Sequence, residues 1–366
     1  MKESMEHMIM ERCLTLARKG AGSVSPNPMV GSVIVRDGKI VGEGFHEKFG
    51  GPHAEIIALK QAGNKTKGAV LYVSLEPCVH FGKTPPCTEA IIQAGISQVV
   101  IASKDPNPLV NGRGIRRLRG AGIHVNVGLL RKEAELLNEK FFKFMKTGLP
   151  YVSIKLAQTL DGRIADITGK SKWITSEAAR KEVHRLRNEY DAVLVGANTV
   201  LRDNPELTVR LVKGSNPLRV VVDGRLSLPV SRAIFITSSS PTWLLTSMKA
   251  INLNPQKVKK LVSQGVRVLS VSAGYRLNAE LILRTLAAEG ISSVLIEGGA
   301  DTVDGFVNRF LADKLYVFTA PKILGDGLSG FRFKTPRILS RPIMLMMTKV
   351  SFVGEDVLVE ATFIHT

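Results

Sequence analysis

The sequence has 366 residues, which is more than a single domain of roughly 100–200 residues usually holds, and 44% of them are hydrophobic. This composition excludes a largely disordered chain, and a total of three cysteines excludes a scaffold held together by disulfides. The formal net charge is +18, but the excess is +8 over residues 1–147 (21 basic, 13 acidic) and +10 over residues 148–366 (29 basic, 19 acidic), so no basic arm or tail carries it.

The N-terminal residues are the first indication of where the protein is found. They are charged and lack the apolar stretch of a secretory signal, and no later run approaches the roughly 18 apolar residues of a membrane span. Few cysteines suit a reducing compartment. We therefore expect a soluble, cytoplasmic protein.

The first segment alternates helical and extended patterns. Apolar residues at helical spacing predict a helix over Met5–Lys19, and an Asp-Gly turn predicts a hairpin between strands at Val30–Val35 and Lys39–Gly44. A further helix begins at His53. After it, strands and helices are predicted in turn at Ala69–Ser74, Thr88–Ala94, Gln98–Ala102, Arg113–Gly120, Ile123–Val127 and Arg131–Met145. Such alternation predicts a sheet covered by helices on both faces.

Gly148 and Pro150 interrupt the pattern just before a new strand at Tyr151–Ala157. We expect the domain boundary there, with domains at residues 1–147 and 148–366. Helices of the second domain are predicted at Ser176–Glu189, Asn278–Glu289 and Thr302–Leu311. Its other strands are predicted at Ala192–Val195, Arg219–Asp223, Ala233–Thr237, Trp243–Thr246, Ser293–Glu297, Leu315–Thr319 and Asp356–Phe363. The sequence thus predicts two α/β domains.

The first segment contains residues that suit a zinc site. His53, Cys78 and Cys87 offer one imidazole and two thiolates, the ligand types zinc prefers, and three protein ligands leave a fourth position for water. Zinc lowers the pKa of bound water to about 7, so a hydroxide nucleophile is available at neutral pH. Glu55 lies two residues beyond His53 and is suited to move protons at that water. The order His-x-Glu followed by Pro-Cys and Cys is typical of zinc-dependent deaminases.

Alternative roles for these side chains remain open. The cysteines could be core residues and His53 a helix cap, whereas His80 could be a fourth ligand. Deaminases that edit nucleic acids separate their cysteines by two residues, while eight residues separate Cys78 from Cys87. Cys13, on the apolar side of the first predicted helix, is expected in the core.

The stretch from Pro77 to Cys87 resembles the bifunctional deaminase-reductases of riboflavin biosynthesis. The similarity continues at residues 27–31, 105–108 and 111–114. It implies a cytidine-deaminase-like, three-layer α/β/α domain with one zinc ion. It also implies substrate contacts at Asn27 and Asn107, with His80 and Lys83 as further candidates. Turn formation is the alternative role for Asn107 and Asn111.

The second half resembles the reductase part of the same family at residues 155–162, 171–176, 196–200, 203–208 and 296–299. The resemblance implies a dihydrofolate-reductase-like fold that binds NADPH. It implies cofactor contacts at Ala157, Trp173, Thr199, Asp203, Gly299, Ala300, Asp301, Thr302, Val303, Asp304 and Gly305. It implies substrate contacts at Ser171, Arg187, Leu207, Arg210 and Glu297. Apart from the resemblance, Lys155 and Glu297 are candidates to orient or protonate the sugar.

The residues themselves give one indication of a nucleotide site, a glycine pair between a strand and a helix. No G-x-G-x-x-G follows the first strand of this half, but Gly298 and Gly299 lie between a strand and a helix, where a phosphate is favoured. Asp301 and Asp304 would repel a pyrophosphate placed too close. Arg187 could instead be a solvated helix cation, and Trp173 is expected in an exposed loop rather than in the core.

We therefore predict a bifunctional enzyme for two consecutive steps of riboflavin synthesis. Zinc-dependent deamination converts 2,5-diamino-6-(5-phosphoribosylamino)pyrimidin-4(3H)-one to 5-amino-6-(5-phosphoribosylamino)uracil, and NADPH then reduces the ribosyl chain to ribityl. The predicted partners are these small phosphorylated pyrimidines, without nucleic acid or membrane, and enzymes of this class often form homo-oligomers. Two alternatives stay open: a nucleic-acid cytosine or adenine deaminase, suggested by the charge, and a deaminase whose second domain is not catalytic, suggested by Asp301 and an irregular tail after Gly325.

Overall fold

The computed structural model describes residues 2–79, 85–333 and 337–364 and divides the chain into two compact units, Met1–Gly148 and Leu149–Thr366. The last helix of the first unit ends at Gly148, which has a left-handed backbone (φ 68°) and caps that helix. Within the described part of the chain, every helix is too short or too polar to cross a membrane.

The first unit is built on a five-stranded sheet. Its strands are β1 (Gly31–Arg36), β2 (Lys39–Phe45), β3 (Val70–Leu75), β4 (Gln98–Ser103) and β5 (His124–Val127). Its helices are α1 (Lys2–Arg18), α2 (Ala54–Ala62), α3 (Cys87–Gln93), α4 (Arg113–Gly120), α5 (Arg131–Leu137) and α6 (Glu139–Thr147). The strand order is β2-β1-β3-β4-β5, with β1 antiparallel to both neighbours and β3, β4 and β5 parallel.

Helices cover both faces of this sheet because its strands are apolar on both sides. Ile34 and Leu71 belong to a core shared with α2, α3 and α4. Val33, Val35 and Tyr72 point the other way, into a core shared with α1 and α5. The predicted three-layer α/β/α architecture is confirmed.

Close packing of α2 on β2 sets the position of the first site. A Cβ atom built on Gly44 would lie 2.4 Å from the carbonyl oxygen of Ala54, and one on Gly42 would lie 2.3 Å from that of Ala58. Glycine at these two strand positions therefore lets the first turns of α2, and the residues at its N-terminus, lie directly against the sheet.

A single helix was predicted over Arg131–Met145, but the structure has two helices there that meet at Asn138. The prediction is wrong in that respect. The side chain of Asn138 accepts a hydrogen bond from the Met29 amide at 2.8 Å and donates one to the Met29 carbonyl at 2.9 Å. These bonds tie the joint to a loop more than a hundred residues away, a long-range interaction that helical periodicity does not reveal.

The second unit contains a nine-stranded sheet. Its strands are β6 (Tyr151–Thr159), β8 (Ala192–Gly196), β9 (Leu218–Val222), β10 (Thr242–Ser247), β11 (Val266–Ser272), β12 (Ser293–Ile296), β13 (Lys314–Ala320), β15 (Leu345–Val353) and β16 (Asp356–Phe363), and β7 (Arg163–Ala165) pairs separately with β14 (Leu328–Ser329). The order is β11-β10-β9-β8-β12-β6-β13-β16-β15, parallel from β11 to β13 and antiparallel beyond.

Helices lie along this sheet, and two buried clusters fill its faces. The helices are α7 (Glu177–Asn188), α8 (Ala197–Asp203), α9 (Ala233–Ile236), α10 (Met248–Leu253), α11 (Pro255–Ser263), α12 (Ala279–Ala288) and α13 (Ala300–Val307). The carboxyl ends of the parallel strands lie at one edge of the sheet, which is where ligands bind in open α/β sheets.

Several sequence-based elements of this unit are corrected. The strand predicted at Ala233–Thr237 is the short helix α9, in which Ile234 and Phe235 are buried while Ile236 is 58% exposed. A short apolar run does not distinguish a strand from one helical turn. The segment at residues 325–342, interpreted as irregular, contains the two-residue strand β14, and the strand β15 that follows it was not predicted. The helix predicted at Thr302–Leu311 begins and ends earlier, at Ala300–Val307.

Candidate active sites

The three predicted metal ligands lie together in the first unit. The Nδ1 atom of His53 is 3.2 Å from the Cys87 sulfur and 3.5 Å from the Cys78 sulfur, and the ligand atoms all lie within 4.8 Å of one another. One imidazole nitrogen and two sulfurs facing a common point suit zinc. His53 occupies the N-cap position of α2 without a side-chain capping hydrogen bond, and the convergence of the three side chains favours a metal site over core packing or capping alone.

Local structure brings the two cysteines together although eight residues separate them in the sequence. Cys78 follows strand β3, and Cys87 is the first residue of α3. The Cys87 amide donates to the Cys78 sulfur at 3.3 Å, and the Thr88 amide and hydroxyl both donate to the Cys78 carbonyl. Hydrogen bonds from Cys87 and His53 lower the pKa of the Cys78 thiol to about 4, although burial opposes them. A thiolate is the form that binds a metal.

Glu55 lies beside this cluster in the first turn of α2 and is only 3% exposed. Burial raises the pKa of its carboxyl group, while the nearby His53 lowers it. Because Glu55 lies beside the three converging ligands but is not one of them, its carboxyl group is suited to proton transfer at the metal centre.

A second histidine, which the sequence analysis missed, packs against the ring of His53. His46 is buried, and its ring meets that of His53 edge-on with centroids 5.4 Å apart. Its Nδ1 donates to the Pro52 carbonyl at 3.0 Å, so Nε2 is the acceptor for the Asn27 amide at 3.1 Å. Asn27, a predicted substrate residue, is therefore oriented by this chain of contacts. No motif pointed to His46, because only the fold places it there.

Glu76, just before the ligand loop, is another buried group that sequence reasoning missed. Its carboxylate accepts hydrogen bonds from the amides of Asp105, Gly112 and Ile115 at 2.9–3.3 Å. A Cβ on Gly114 would lie 2.2 Å from the Pro77 carbonyl, so α4 packs tightly on this loop. Glu76 thus ties the loop that carries Cys78 to the start of α4.

The structure shows Asn107 in a turn. Its backbone amide donates to Asp105 at 2.8 Å, and its side-chain oxygen accepts from the Leu109 amide at 3.0 Å. Burial raises the pKa of Asp105 to about 7, with the Glu76 carboxylate adding to the effect. Turn formation thus accounts for the contacts of Asn107, and a substrate role for it remains a prediction. His80 and Lys83, the further candidates, lie outside the described residues.

The second unit has a cleft of about 1930 Å³ at the carboxyl edge of its sheet. It is lined by nearly all the cofactor and substrate residues predicted for this unit, namely Ala157, Ser171, Trp173, Arg187, Thr199, Asp203, Leu207, Arg210, Glu297, Gly299, Ala300, Asp301, Thr302, Asp304 and Gly305. Val303 does not line it, because its side chain is fully buried in the core on the inner side of α13. A single cleft therefore unites residues from distant parts of the sequence.

A buried ion cluster lies in this cleft. Arg187 donates to both carboxylate oxygens of Glu297 at 2.5 and 2.9 Å and to the Thr208 carbonyl at 3.0 Å. The Lys155 ammonium is 3.6 Å from Glu297. Burial alone would raise the pKa of Glu297, but Arg187 and Lys155 lower it to about 2. The alternative of Arg187 as a solvated helix cation is excluded, and the cluster carries one net positive charge.

The loop between α8 and β9, which contains two predicted substrate residues, is held from several sides. The Arg210 amide donates to Nδ1 of the buried His184 at 2.9 Å. Arg219, 1% exposed, donates to the Thr237 and Ser240 carbonyls and, at 3.4 Å, to that of Glu206. Leu207 has a φ of 55° and packs in the core, so its backbone is the part available to a ligand. Neither His184 nor Arg219 belongs to a recognisable motif.

Predicted cofactor and substrate residues also contact one another. The Ser171 hydroxyl donates to Asp203 at 2.9 Å, and the Thr199 hydroxyl accepts from the Gly299 amide at 3.1 Å. Trp173 is 61% exposed, as expected, and the Arg180 guanidinium lies 4.6 Å from its ring centroid. Asp301 is also exposed, on the first turn of α13.

Comparisons with known proteins cover both units. Residues 3–103 match the family of the cytidine and deoxycytidylate deaminase zinc-binding region, and residues 150–359 match the RibD C-terminal domain family. The chain is 47% identical to the riboflavin biosynthesis protein RibD of Aquifex aeolicus over 351 residues, covering 96% of each chain. It is 42% identical over 335 residues to RibD of Escherichia coli, covering 88% of this chain and 89% of that one.

Solved structures of riboflavin biosynthesis enzymes also match this chain over nearly its full length. A diaminohydroxyphosphoribosylaminopyrimidine deaminase/5-amino-6-(5-phosphoribosylamino)uracil reductase from Thermotoga maritima is 41% identical, with full coverage of both chains and a TM-score of 0.88. A RibD structure from Acinetobacter baumannii is 36% identical, with a TM-score of 0.89 and coverage of 99% of this chain and 100% of that one.

Proposed function

Since the chain belongs to the RibD family of bifunctional riboflavin biosynthesis proteins, we propose that residues 1–147 form its deaminase domain and residues 148–366 its reductase domain. The protein uses zinc for deamination and NADPH for reduction. The roles of individual residues are our proposal, and they follow from the contacts of each site.

In the deaminase domain, His53, Cys78 and Cys87 hold the zinc ion. When bound, zinc acts as a Lewis acid that makes water a nucleophile near neutral pH. Water adds to the ring carbon that carries the 2-amino group, the carbon–nitrogen bond breaks, and ammonia leaves. As the water adds, Glu55 takes one of its protons and passes it to the neighbouring ring nitrogen. Glu55 then moves the remaining hydroxyl proton to the departing nitrogen, so that ammonia leaves and a carbonyl group remains. Asn27, oriented by His46, and Asn107 bind the substrate.

In the reductase domain, the net positive charge of the Lys155–Arg187–Glu297 cluster and the nearby Arg210 favour a phosphorylated sugar. NADPH, when bound, supplies a hydride. As C1′ of the ribosyl chain accepts it, the bond from C1′ to the ring oxygen breaks and that oxygen takes a proton. We assign this proton to Lys155, because burial lowers the pKa of its ammonium group. Glu297 holds Lys155 in place.

The observation that carries the deaminase assignment is the convergence of His53, Cys78 and Cys87 beside Glu55. Metal analysis should find one zinc per chain, and the diaminopyrimidine phosphate should release one ammonia per molecule. A chelator should stop ammonia release while leaving NADPH oxidation with the deaminated product unchanged. Deamination of RNA or DNA instead would support the nucleic-acid alternative, and absent NADPH oxidation would support a non-catalytic second domain.

For partners and location, we propose a homo-oligomer in the cytoplasm that acts on small phosphorylated pyrimidines and not on nucleic acid. The edge strand β15 favours self-association, since Met346, Met347, Val350 and Phe352 on it are all more than half exposed. Sedimentation should give a multiple of the chain mass of 39.8 kDa, and Phe352→Asp should shift it toward the monomer. A monomeric parent protein would contradict the proposal.

A further inference from the structure

His184 lies in the reductase cleft but takes no part in the proposed hydride or proton transfer. It belongs to α7, is only 4% exposed, and lines the cleft together with Arg187, which lies one turn further along the helix. Side chains three positions apart lie on the same side of a helix, so both reach the loop between α8 and β9. His184 is therefore placed to act on that loop.

Two side chains of α7 hold one short stretch of this loop. The Arg210 amide donates to Nδ1 of His184 at 2.9 Å. Arg187 donates to the Thr208 carbonyl at 3.0 Å, and only Val209 separates that carbonyl from the Arg210 amide. The stretch belongs to neither a helix nor a strand. Its backbone position therefore depends on side-chain contacts from α7 rather than on regular secondary structure.

The His184 imidazole is in the form that this contact requires. A backbone amide can only donate, so Nδ1 carries no proton and the proton of the neutral ring is on Nε2. Burial, together with the nearby Arg187 and Arg210 cations, lowers the pKa of His184 to about 4. At neutral pH the ring is therefore uncharged and able to accept the amide.

Arg210 is the more accessible of the two arginines on which these contacts converge. The Arg187 side chain is 11% exposed and its charge is paired with Glu297, whereas the Arg210 side chain is 50% exposed. Nη1 of Arg210 donates to the Thr208 hydroxyl at 3.3 Å and lies 3.9 Å from the Glu206 carboxylate. Most of this guanidinium is thus open to an anion such as a sugar phosphate.

We propose that His184 is a positioning residue of the reductase, which accepts the Arg210 amide at Nδ1 and thereby directs the Arg210 guanidinium toward the phosphate of the sugar substrate. Without the acceptor, the amide loses its partner and the loop backbone is free to move away from its binding geometry. Substrate binding then weakens, while hydride delivery and the proton from Lys155 are unaffected. The inference rests on the proposed reductase function.

The test measures steady-state reduction of 5-amino-6-(5-phosphoribosylamino)uracil by the full-length protein. His184→Phe keeps a ring but removes the acceptor, and His184→Asn keeps an acceptor oxygen at the position of Nδ1. Lys181→Ala, which removes an exposed charge from the same helix, is the matched control. We expect His184→Phe to raise the KM for this substrate roughly 10-fold, with kcat and the KM for NADPH unchanged. His184→Asn should recover most of the loss, and Lys181→Ala should behave as the parent does.

A double variant tests whether His184 acts through Arg210. Arg210→Ala alone should raise the KM for the sugar phosphate roughly 10- to 100-fold, because a charged hydrogen bond to the phosphate is lost. If the imidazole only positions Arg210, His184→Phe/Arg210→Ala should have the same KM as Arg210→Ala. Losses that multiply in the double variant would overturn the proposal.

Failure of the positioning role and failure of the reductase function give different results. A parental KM in His184→Phe, an equal loss in His184→Asn, or a fall in kcat at constant KM would overturn the role of His184 while leaving the reductase function intact. A parent protein that does not oxidise NADPH with the deaminated product would overturn both. Equal melting temperatures and unchanged ammonia release show that the variants are folded, and His184→Leu repeats the test if phenylalanine is not accommodated.

Discussion

The Glu55→Gln variant is expected to lose deamination by a factor on the order of 10²–10⁴, the usual contribution of a positioned general acid–base. Glutamine keeps the shape of the side chain but can neither accept the proton of water nor return it to the departing nitrogen. His53, Cys78 and Cys87 remain in place, so zinc content should stay at one per chain. Ammonia release with the diaminopyrimidine phosphate measures the loss.

Reduction provides the internal control for this variant. The NADPH-dependent reaction with the deaminated product should be unchanged, because every described residue that lines the reductase cleft belongs to the second unit. Glu47→Gln, which changes an exposed carboxylate near the same motif, should leave both activities unchanged. If Glu55→Gln retained its zinc and still deaminated at the parent rate, the assignment of proton transfer to Glu55 would be wrong.

The zinc site was predictable from sequence because its chemistry requires particular residue types at short separations. His53 and Glu55 lie at the start of one helix, and eight residues separate the two cysteines in the sequence. The resemblance in the second half led to Arg187 and Glu297 as site residues, but it assigned both to the substrate. Their direct pairing joins positions 110 apart and depends on how α7 packs against the end of β12.

Interactions that depend on tertiary packing were the ones that sequence reasoning missed. His46 contacts His53 only because the loop after β2 folds back against the start of α2. Val303 shares the loop predicted to contact the cofactor, yet the rotation of α13 turns its side chain into the core. In both cases a long-range contact, not the local pattern, decides the role of the residue.

Replacing Glu297 with glutamine is expected to have the largest effect on stability. The variant leaves the buried cations Lys155 and Arg187 facing each other without an anion, and losing one partner of a buried pair costs about 3–5 kcal/mol of unfolding free energy. For a unit of this size, each kcal/mol lowers the melting temperature by about 2–4 °C. Calorimetry of the full chain measures the fall, which should be accompanied by loss of reductase activity.

An exposed pair of similar geometry serves as the control. Arg267 donates through both terminal nitrogens to Glu289, but both side chains are substantially exposed, so Glu289→Gln should cost at most about 1 kcal/mol. Arg187→Met should cost less than Glu297→Gln, since Lys155 still pairs with Glu297. Equal losses for Glu297→Gln and Glu289→Gln would contradict the idea that burial makes the cluster costly to break.

Acid provides an independent test of the same cluster. Arg187 and Lys155 lower the pKa of Glu297 to about 2 against the effect of burial, whereas an unfolded chain has a glutamate pKa of about 4.3. The charged carboxylate therefore contributes its full stabilisation above about pH 4.3 and loses it as the pH falls through 2. Urea unfolding should give a constant difference in free energy between parent and Glu297→Gln from pH 7 to 5. The difference in unfolding free energy between parent and variant should be smaller at pH 3. If it stayed constant down to pH 3, Glu297 would not be held ionised by its two cations.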